Sequence, residues 1–292
     1  MQKKYAVVKI AGGLGNQLFQ YCFARHLSLH LQVDIKLDIS FYSRSTRSYL
    51  LEDFMVILDK VDREKLHNIL KWKNLKLFKL INTLLPIKYK KYYREKVGAD
   101  GIDKNVYEAK RALFFEGYWQ NKGYFESSWK IIKKELRLKK RGDAYDALQK
   151  KIEATNAVAI HFRRGDYVSN ERIFQQHGTC SVSYYENAVK KMSTIISSPV
   201  FFIFSDDIEW VKKNFVIKQP VEFVSNERVF SPSEELVLMS KCKHAIISNS
   251  TFSWWGAWLN EHDGKVVIAP SQWSKTITPK FINIVPPAWI RL

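Results

Sequence analysis

Cysteine is scarce in this 292-residue chain: Cys22, Cys180 and Cys242 stand far apart, and no Cys-x-x-Cys occurs. An odd, scattered set excludes a disulfide framework and a structural zinc site of the usual spacing, and it fits a reducing compartment. Long apolar runs are missing too. The uncharged stretch from Ala245 to Asn260 is broken by Ser, Thr and Asn and is too polar for lipid. The opening residues Met1–Ile10 are basic, but Lys9 interrupts their apolar run, so they do not read as an export signal. The expectation is a cytoplasmic protein, attached to a membrane at most peripherally, at the inner face of the cytoplasmic membrane. Also absent are an Asp-x-Asp triplet, a Gly-x-Ser-x-Gly elbow and a phosphate loop ending Gly-Lys-Ser/Thr. His26 and His30 lie four apart without the Glu that a zinc protease places after its first histidine.

Apolar residues make up 46% of the chain, enough for sizeable cores and far from the composition of a disordered protein. Lys and Arg number 47 against 29 Asp and Glu, a net charge of +18, which calls for an anionic partner. Most of that excess lies between Lys60 and Arg141, where 23 basic residues face 9 acidic ones. Interleaved Lys, Tyr and Trp in this stretch suit single-stranded nucleic acid. The acidic and hydroxyl-rich turns elsewhere have no role in such binding, so nucleic acid is not the expected partner. Lys71, Lys76 and Lys79 beside Leu77, Phe78 and Leu80 suggest instead docking to an anionic membrane, or simply a solvated Lys-rich helix.

Short apolar runs recur at Tyr5–Ile10, Val33–Leu37, Val158–Phe162, Val200–Phe204, Val221–Val224, His244–Ile247 and Lys265–Ile268. Several of them are apolar at consecutive positions, as expected for strands buried on both faces. Helix-length periodic stretches separate them, among them Asn16–Leu31, Ser183–Ile196 and Ser233–Lys241. Strand, turn and helix in alternation mean an α/β architecture with parallel sheets. Lys139-Lys140-Arg141-Gly142-Asp143 reads as the end of one domain, giving 1–150 and 151–292 with a cleft between them.

Four turns carry candidate chemistry. Gly12-Gly13-Leu14-Gly15-Asn16-Gln17 follows a strand and opens a helix, so its glycines let a ligand approach backbone N–H groups. A dinucleotide fingerprint with Asp38 on the ribose would need glycine where Leu18 stands, and the plain alternative makes Asn16 a helix cap. His161-Phe162-Arg163-Arg164-Gly165-Asp166 puts two guanidinium groups at a strand end, a bidentate grip for a pyrophosphate. The alternative is a structural pair between an arginine and Asp166. At Ser205-Asp206-Asp207, one acid can accept from the adjacent donors of guanine, and one can cap the next helix. Ser248-Asn249-Ser250-Thr251-Phe252-Ser253 forms an uncharged phosphate cradle at a helix start, and Trp254 and Trp258 beyond it read as core.

Together these strings resemble the inverting α-1,2-fucosyltransferases of glycosyltransferase family 11, in bacterial form. Gly12 to Tyr21 is similar to the family's opening, and His161 to Tyr167 to its donor motif. Phe204–Asp207 and Ser248–Trp255 are similar to its later motifs, and Gly117-Tyr118-Trp119-Gln120 with Tyr124-Phe125 also looks familial. The resemblance implies a GT-B fold of two Rossmann-like domains, GDP-L-fucose as donor, a galactoside-terminated oligosaccharide or lipid-linked glycan as acceptor, and no metal or other cofactor. It puts the acceptor on the N-terminal side and the donor in the C-terminal half. Carried over, His161 and Asp206 contact guanine, Asp207 is also donor-binding, and Arg163 with Arg164 holds the diphosphate, Arg163 counting as catalytic too. Asn249, Ser250, Thr251 and Ser253 line phosphate or ribose, and Asn16 closes from the other half. Asp166 is the first candidate for the catalytic base and Glu171 the second.

Overall fold

A computed structural model describes residues 5–71, 75–165, 171, 174–175, 178–226, 229–275, 281 and 283–292. The chain divides into two α/β units, the first ending at Arg137 and taking in Asn283 and Ile284, the second holding Leu138–Phe281 and Val285–Leu292. The division falls ahead of residue 150 because helix Asp143–Glu153 packs on a helix and a strand of the second unit.

In the first unit, strands β1 (Tyr5–Lys9), β2 (Asp34–Asp38), β3 (Tyr92–Arg94) and β4 (Phe114–Glu116) form one sheet in the order β2-β1-β4-β3. Every pairing is parallel. Helix α1 (Leu14–Leu31) connects β1 to β2 and is buried without a break from Gln17 to Ala24. A helix closed in on all sides needs apolar residues all round, which explains why its hydrophobic stripe is hard to see. Phe23 stacks on Trp119 with ring centroids 3.8 Å apart. Arg25 and Tyr21 both bond the carboxylate of Glu135 on helix α4 (Trp129–Glu135), at 2.8 Å for Arg25. The basic stretch supplies helices α2 (Arg63–Leu70), capped by Asp62, and α3 (Lys76–Leu84).

The second unit begins with α5 (Asp143–Glu153) and continues as β5 (Asn156–Phe162), α6 (Val182–Ile195), β6 (Pro199–Ser205), α7 (Ile208–Asn214) and β7 (Val221–Phe223). Then follow α8 (Pro232–Lys241), β8 (His244–Ile246), α9 (Thr251–Leu259), β9 (Val267–Ala269) and β10 (Ile290–Arg291). All six strands pair parallel in the order β10-β9-β8-β5-β6-β7. Val158, Ile160 and Phe162 pack with Tyr185, Ala188 and Met192 of α6, burying one face of β5. Strand order runs outward from β5 through β6 to β7, then returns to place β8 on the other side of β5. A parallel α/β sheet gathers ligands at such a reversal, outside the carboxyl ends of its strands. Here the edge carries Arg163–Gly165 after β5, Asp206–Asp207 after β6 and Ile247–Ser250 after β8.

Candidate functional site

The carboxyl edge of the second unit collects most of the expected residues into one cluster. His161, the penultimate residue of β5, is 4% exposed and places Nδ1 2.9 Å from Ser248 Oγ, across the β5–β8 reversal. Burial first, and the neighbouring Arg163 charge second, push its pKa down to about 3, so the imidazole is neutral at physiological pH. Tyr185 Oη donates to the His161 carbonyl (3.1 Å) and Tyr184 Oη to that of Ile247 (2.7 Å). Adjacent tyrosines of α6 thus brace both strand ends.

Arg163 and Arg164 are held from β6. Arg163 Nη1 lies 2.6 Å from Asp206 Oδ2, and the Arg164 backbone N–H donates to Asp206 Oδ1 at 2.8 Å. Arg164 Nε bonds Asp207 Oδ2 at 3.3 Å, and its guanidinium lies 3.5 Å above the Trp210 ring. Asp207 also caps α7, accepting from Trp210 N–H at 3.4 Å. The arginines therefore pair with Asp206 and Asp207. Gly165 makes this approach possible, since a Cβ there would come within 2.5 Å of Asp206 Oδ2.

After β8 the chain supplies hydroxyls and a helix start. Ser250 caps α9, its Oγ accepting from Phe252 N–H at 3.3 Å. Ser253 is fully buried, 3.2 Å from both Ser248 Oγ and the Ser250 carbonyl, so it stiffens the turn from below. Thr251 opens the helix and is half-buried. Asn249 donates to the Gly178 and Trp273 carbonyls at 3.2 and 3.4 Å and accepts from Cys180, tying three segments together. Trp254 and Trp258 stack at 5.1 Å.

Glu171 is exposed and accepts from the Gln175 amide four residues on. Asp166 lies outside the described residues.

Asn16 belongs to the first unit, at its own β1–β4 reversal. The helix cap is Gly13 and not Asn16, because the turn starts earlier: Gly13 is extended and its carbonyl accepts from Asn16 and Gln17 N–H. Asn16 Oδ1 accepts from Gln120 at 2.6 Å. Gly12 has φ +86°, and a Cβ on it would meet the Asn16 amide at 2.7 Å, so glycine is required on both counts. Gln17 bonds the Ser48 carbonyl and the Leu50 N–H, and Gln20 bridges Ala11 to Gly117. Asp38 is buried and accepts from Ser40 N–H, as a turn residue does. A hollow of about 960 Å3, lined by Lys65, Phe78 and Tyr92 among others, opens at the amino ends of this sheet, the end where such sheets do not hold substrates.

Tyr184, Tyr185 and Trp210 at this edge gave no sequence signal, and neither did an acidic residue of α8. Glu235 on α8 is hydrogen-bonded to Ser225, which in turn accepts from Ser205 N–H at the end of β6. Burial, with the Asp206 charge adding to it, raises its pKa to about 7 against the opposing Ser225 bond. In sequence it is hidden inside a capping box, Ser231 with Glu234, that reads only as a helix start. A carboxyl raised this way stabilises the fold below its unfolded pKa near 4.5, and that contribution is lost as pH climbs through 7. Glu235→Gln is therefore expected to gain stability over the parent above pH 7, by up to roughly 3 kcal/mol, with little gain at pH 4.5. Thermal melts at the two pH values read this directly; an equal difference at both would contradict it.

The family model for glycosyl transferase family 11 matches residues 5–292. The chain belongs to that family. Over 294 residues it is 32% identical to an alpha-1,2-colitosyltransferase of Escherichia coli, covering 98% of each chain. A 107-residue match at 34% identity, 36% of this chain and 29% of the relative, links this family 11 member to the Mus musculus galactoside 2-alpha-L-fucosyltransferase Sec1. Among solved structures, NodZ alpha-1,6-fucosyltransferase soaked with GDP-fucose aligns at a TM-score of 0.53 and 14% identity, over 88% of this chain and 93% of that one. The fold class is the GT-B type, two successive α/β units with parallel sheets.

Proposed function

We propose that this family 11 glycosyltransferase moves L-fucose from GDP-L-fucose to the 2-hydroxyl of a terminal β-galactoside, with inversion, in the assembly of a bacterial surface glycan such as O-antigen or capsule. The observation that carries the reading is the pair Arg163 and Arg164 held by Asp206 and Asp207 beside the α9 N-terminus. As the glycosidic bond breaks, the sugar takes on oxocarbenium character and negative charge grows on the departing diphosphate. Guanidinium donors fixed in advance stabilise that charge without reorganising during the reaction. The helix start at Ser250 and Thr251 adds N–H groups and a hydroxyl to the same end of the sheet. Neutral His161, with Asp206 and Asp207, is assigned to the nucleotide side of the site, and Asn249 with Ser253 to its support.

The acceptor hydroxyl must lose a proton as it attacks the opposite face of the sugar. Asp166 is assigned as the base, with Glu171 as the alternative. Two cations on the diphosphate do the work that a divalent ion does in transferases built on Asp-x-Asp. Transfer is therefore expected to persist in excess chelator, and its complete loss there, restored by added metal, would contradict this part of the reading.

The E. coli relative favours one second reading of the donor. Colitose is the 3-deoxy counterpart of L-fucose, so a single hydroxyl separates the two. A screen of GDP-L-fucose and GDP-colitose against β-galactosides, with product linkage read by NMR, tests both. Fucosyl transfer to the 2-hydroxyl supports the proposal, and turnover of colitose alone moves it to the second reading. No stabilisation by GDP in a thermal shift against UDP and NAD would overturn both.

A further inference from the structure

We propose that helix α3 docks the first unit onto an anionic phospholipid bilayer. The helix is mounted with its hydrophobic side outward. Leu77, Leu80, Ile81 and Leu84 are 68%, 58%, 48% and 75% exposed. At 100° per residue, positions i, i+3, i+4 and i+7 fall within an arc of about 100°, so these side chains form one stripe. The residues that attach the helix to its unit lie on another side. Asn82 donates to the Tyr92 carbonyl at 2.8 Å and accepts from Lys91 and Tyr92 N–H, clamping α3 to the start of β3. Phe78, half-buried, lines the hollow beneath. A surface helix ordinarily buries its apolar stripe and shows its polar side. Here no residue of α3 is buried.

Charge identifies the occupant. From Lys65 to Arg94, thirty consecutive residues contain nine Lys and Arg and no Asp or Glu. Lys76 borders the leucine stripe, Lys79 lies farther round the same helix, and Lys88 and Tyr89 follow in the next turn, all exposed. An apolar stripe bordered by cations matches a surface of acyl chains beneath anionic headgroups, where each lysine adds to the attraction. A second copy of the chain would bring the same excess of cations face to face, which opposes self-association through this side.

The test is co-sedimentation of the full chain with sucrose-loaded vesicles, either pure phosphatidylcholine or containing about 30 mol% phosphatidylglycerol. The expected result is partitioning onto the anionic vesicles at least about tenfold stronger than onto the neutral ones, falling as salt is raised. Leu80→Asp with Leu84→Asp is expected to abolish it, and Lys76→Glu with Lys79→Glu to weaken it by about tenfold. Circular dichroism and melting temperature should stay unchanged, since all four positions are exposed. Leu84→Ser alone tests the same face if the aspartate pair does not fold. Three results would overturn the proposal: no sedimentation with either vesicle, full binding by the leucine variant, or a dimer of the parent chain that the leucine variant dissociates.

Discussion

Arg163→Ala is expected to lower kcat/KM for sugar transfer by about a thousandfold while leaving the fold in place. Removing one preorganised donor to a developing oxyanion costs on the order of 3–4 kcal/mol of transition-state stabilisation. The guanidinium lies at the carboxyl edge of the sheet with its side chain 21% exposed, so its loss opens no core cavity. The penalty to stability comes from Asp206, which keeps its bond to the Arg164 N–H and its access to solvent. Steady-state kinetics with a circular-dichroism control read the result. Arg163→Lys is not expected to restore the rate, because an ammonium cannot reproduce the fork that grips Asp206 and, in the proposed site, a diphosphate. Turnover within tenfold of the parent in Arg163→Ala would remove the arginine from its assigned role.

Gly165→Ala carries the second large effect and reaches the same clamp indirectly. The added methyl would overlap Asp206 Oδ2, so either the carboxylate turns away or the chain after β5 shifts. Both outcomes break a charge-assisted bond that aims Arg163 and Arg164. A fall in kcat/KM of about a hundredfold is expected, the scale at which misplacement of catalytic groups by an ångström is felt. Because the guanidinium groups remain present, GDP should still bind more tightly than in Arg163→Ala. Calorimetric titration with GDP separates the two variants. Identical GDP affinity and unchanged kinetics in Gly165→Ala would mean that the backbone approach to Asp206 is incidental.

The strands that frame this site were readable in the sequence because their physics is local. Val158–Ile160 and Val200–Phe204 are consecutive apolar residues, and each run is followed within three residues by charge. Such a run has one stable place, the middle of a parallel sheet, with its polar successors at the carboxyl edge. All seven expected strands appear, within a residue or two of their expected bounds. Strands β3 and β4 were not readable. They are three residues each, Tyr92–Arg94 and Phe114–Glu116, too short for any periodicity, and they exist because β1 offers an edge to β4 and β4 offers one to β3. The partners inside the site were legible only in part. The sequence places two arginines and two aspartates at neighbouring strand ends, but pairing Arg163 with Asp206 depends on the β5–β6 register, in which Phe162 faces Ser205. Tyr184, Tyr185, Trp210 and Glu235 were missed for the same reason. Each belongs to a helix whose local pattern is ordinary, and only the crossover connections bring it to the sheet edge.

The central claim is that the two arginines after β5 hold a nucleotide diphosphate, and a crystal structure of the GDP complex tests it most directly. The account predicts phosphate oxygens within hydrogen-bond distance of the Arg163 and Arg164 guanidinium groups, with the α9 start at Ser250 and Thr251 beside them. GDP bound with its phosphates away from both side chains, or outside the carboxyl edge of the six-stranded sheet, would contradict it.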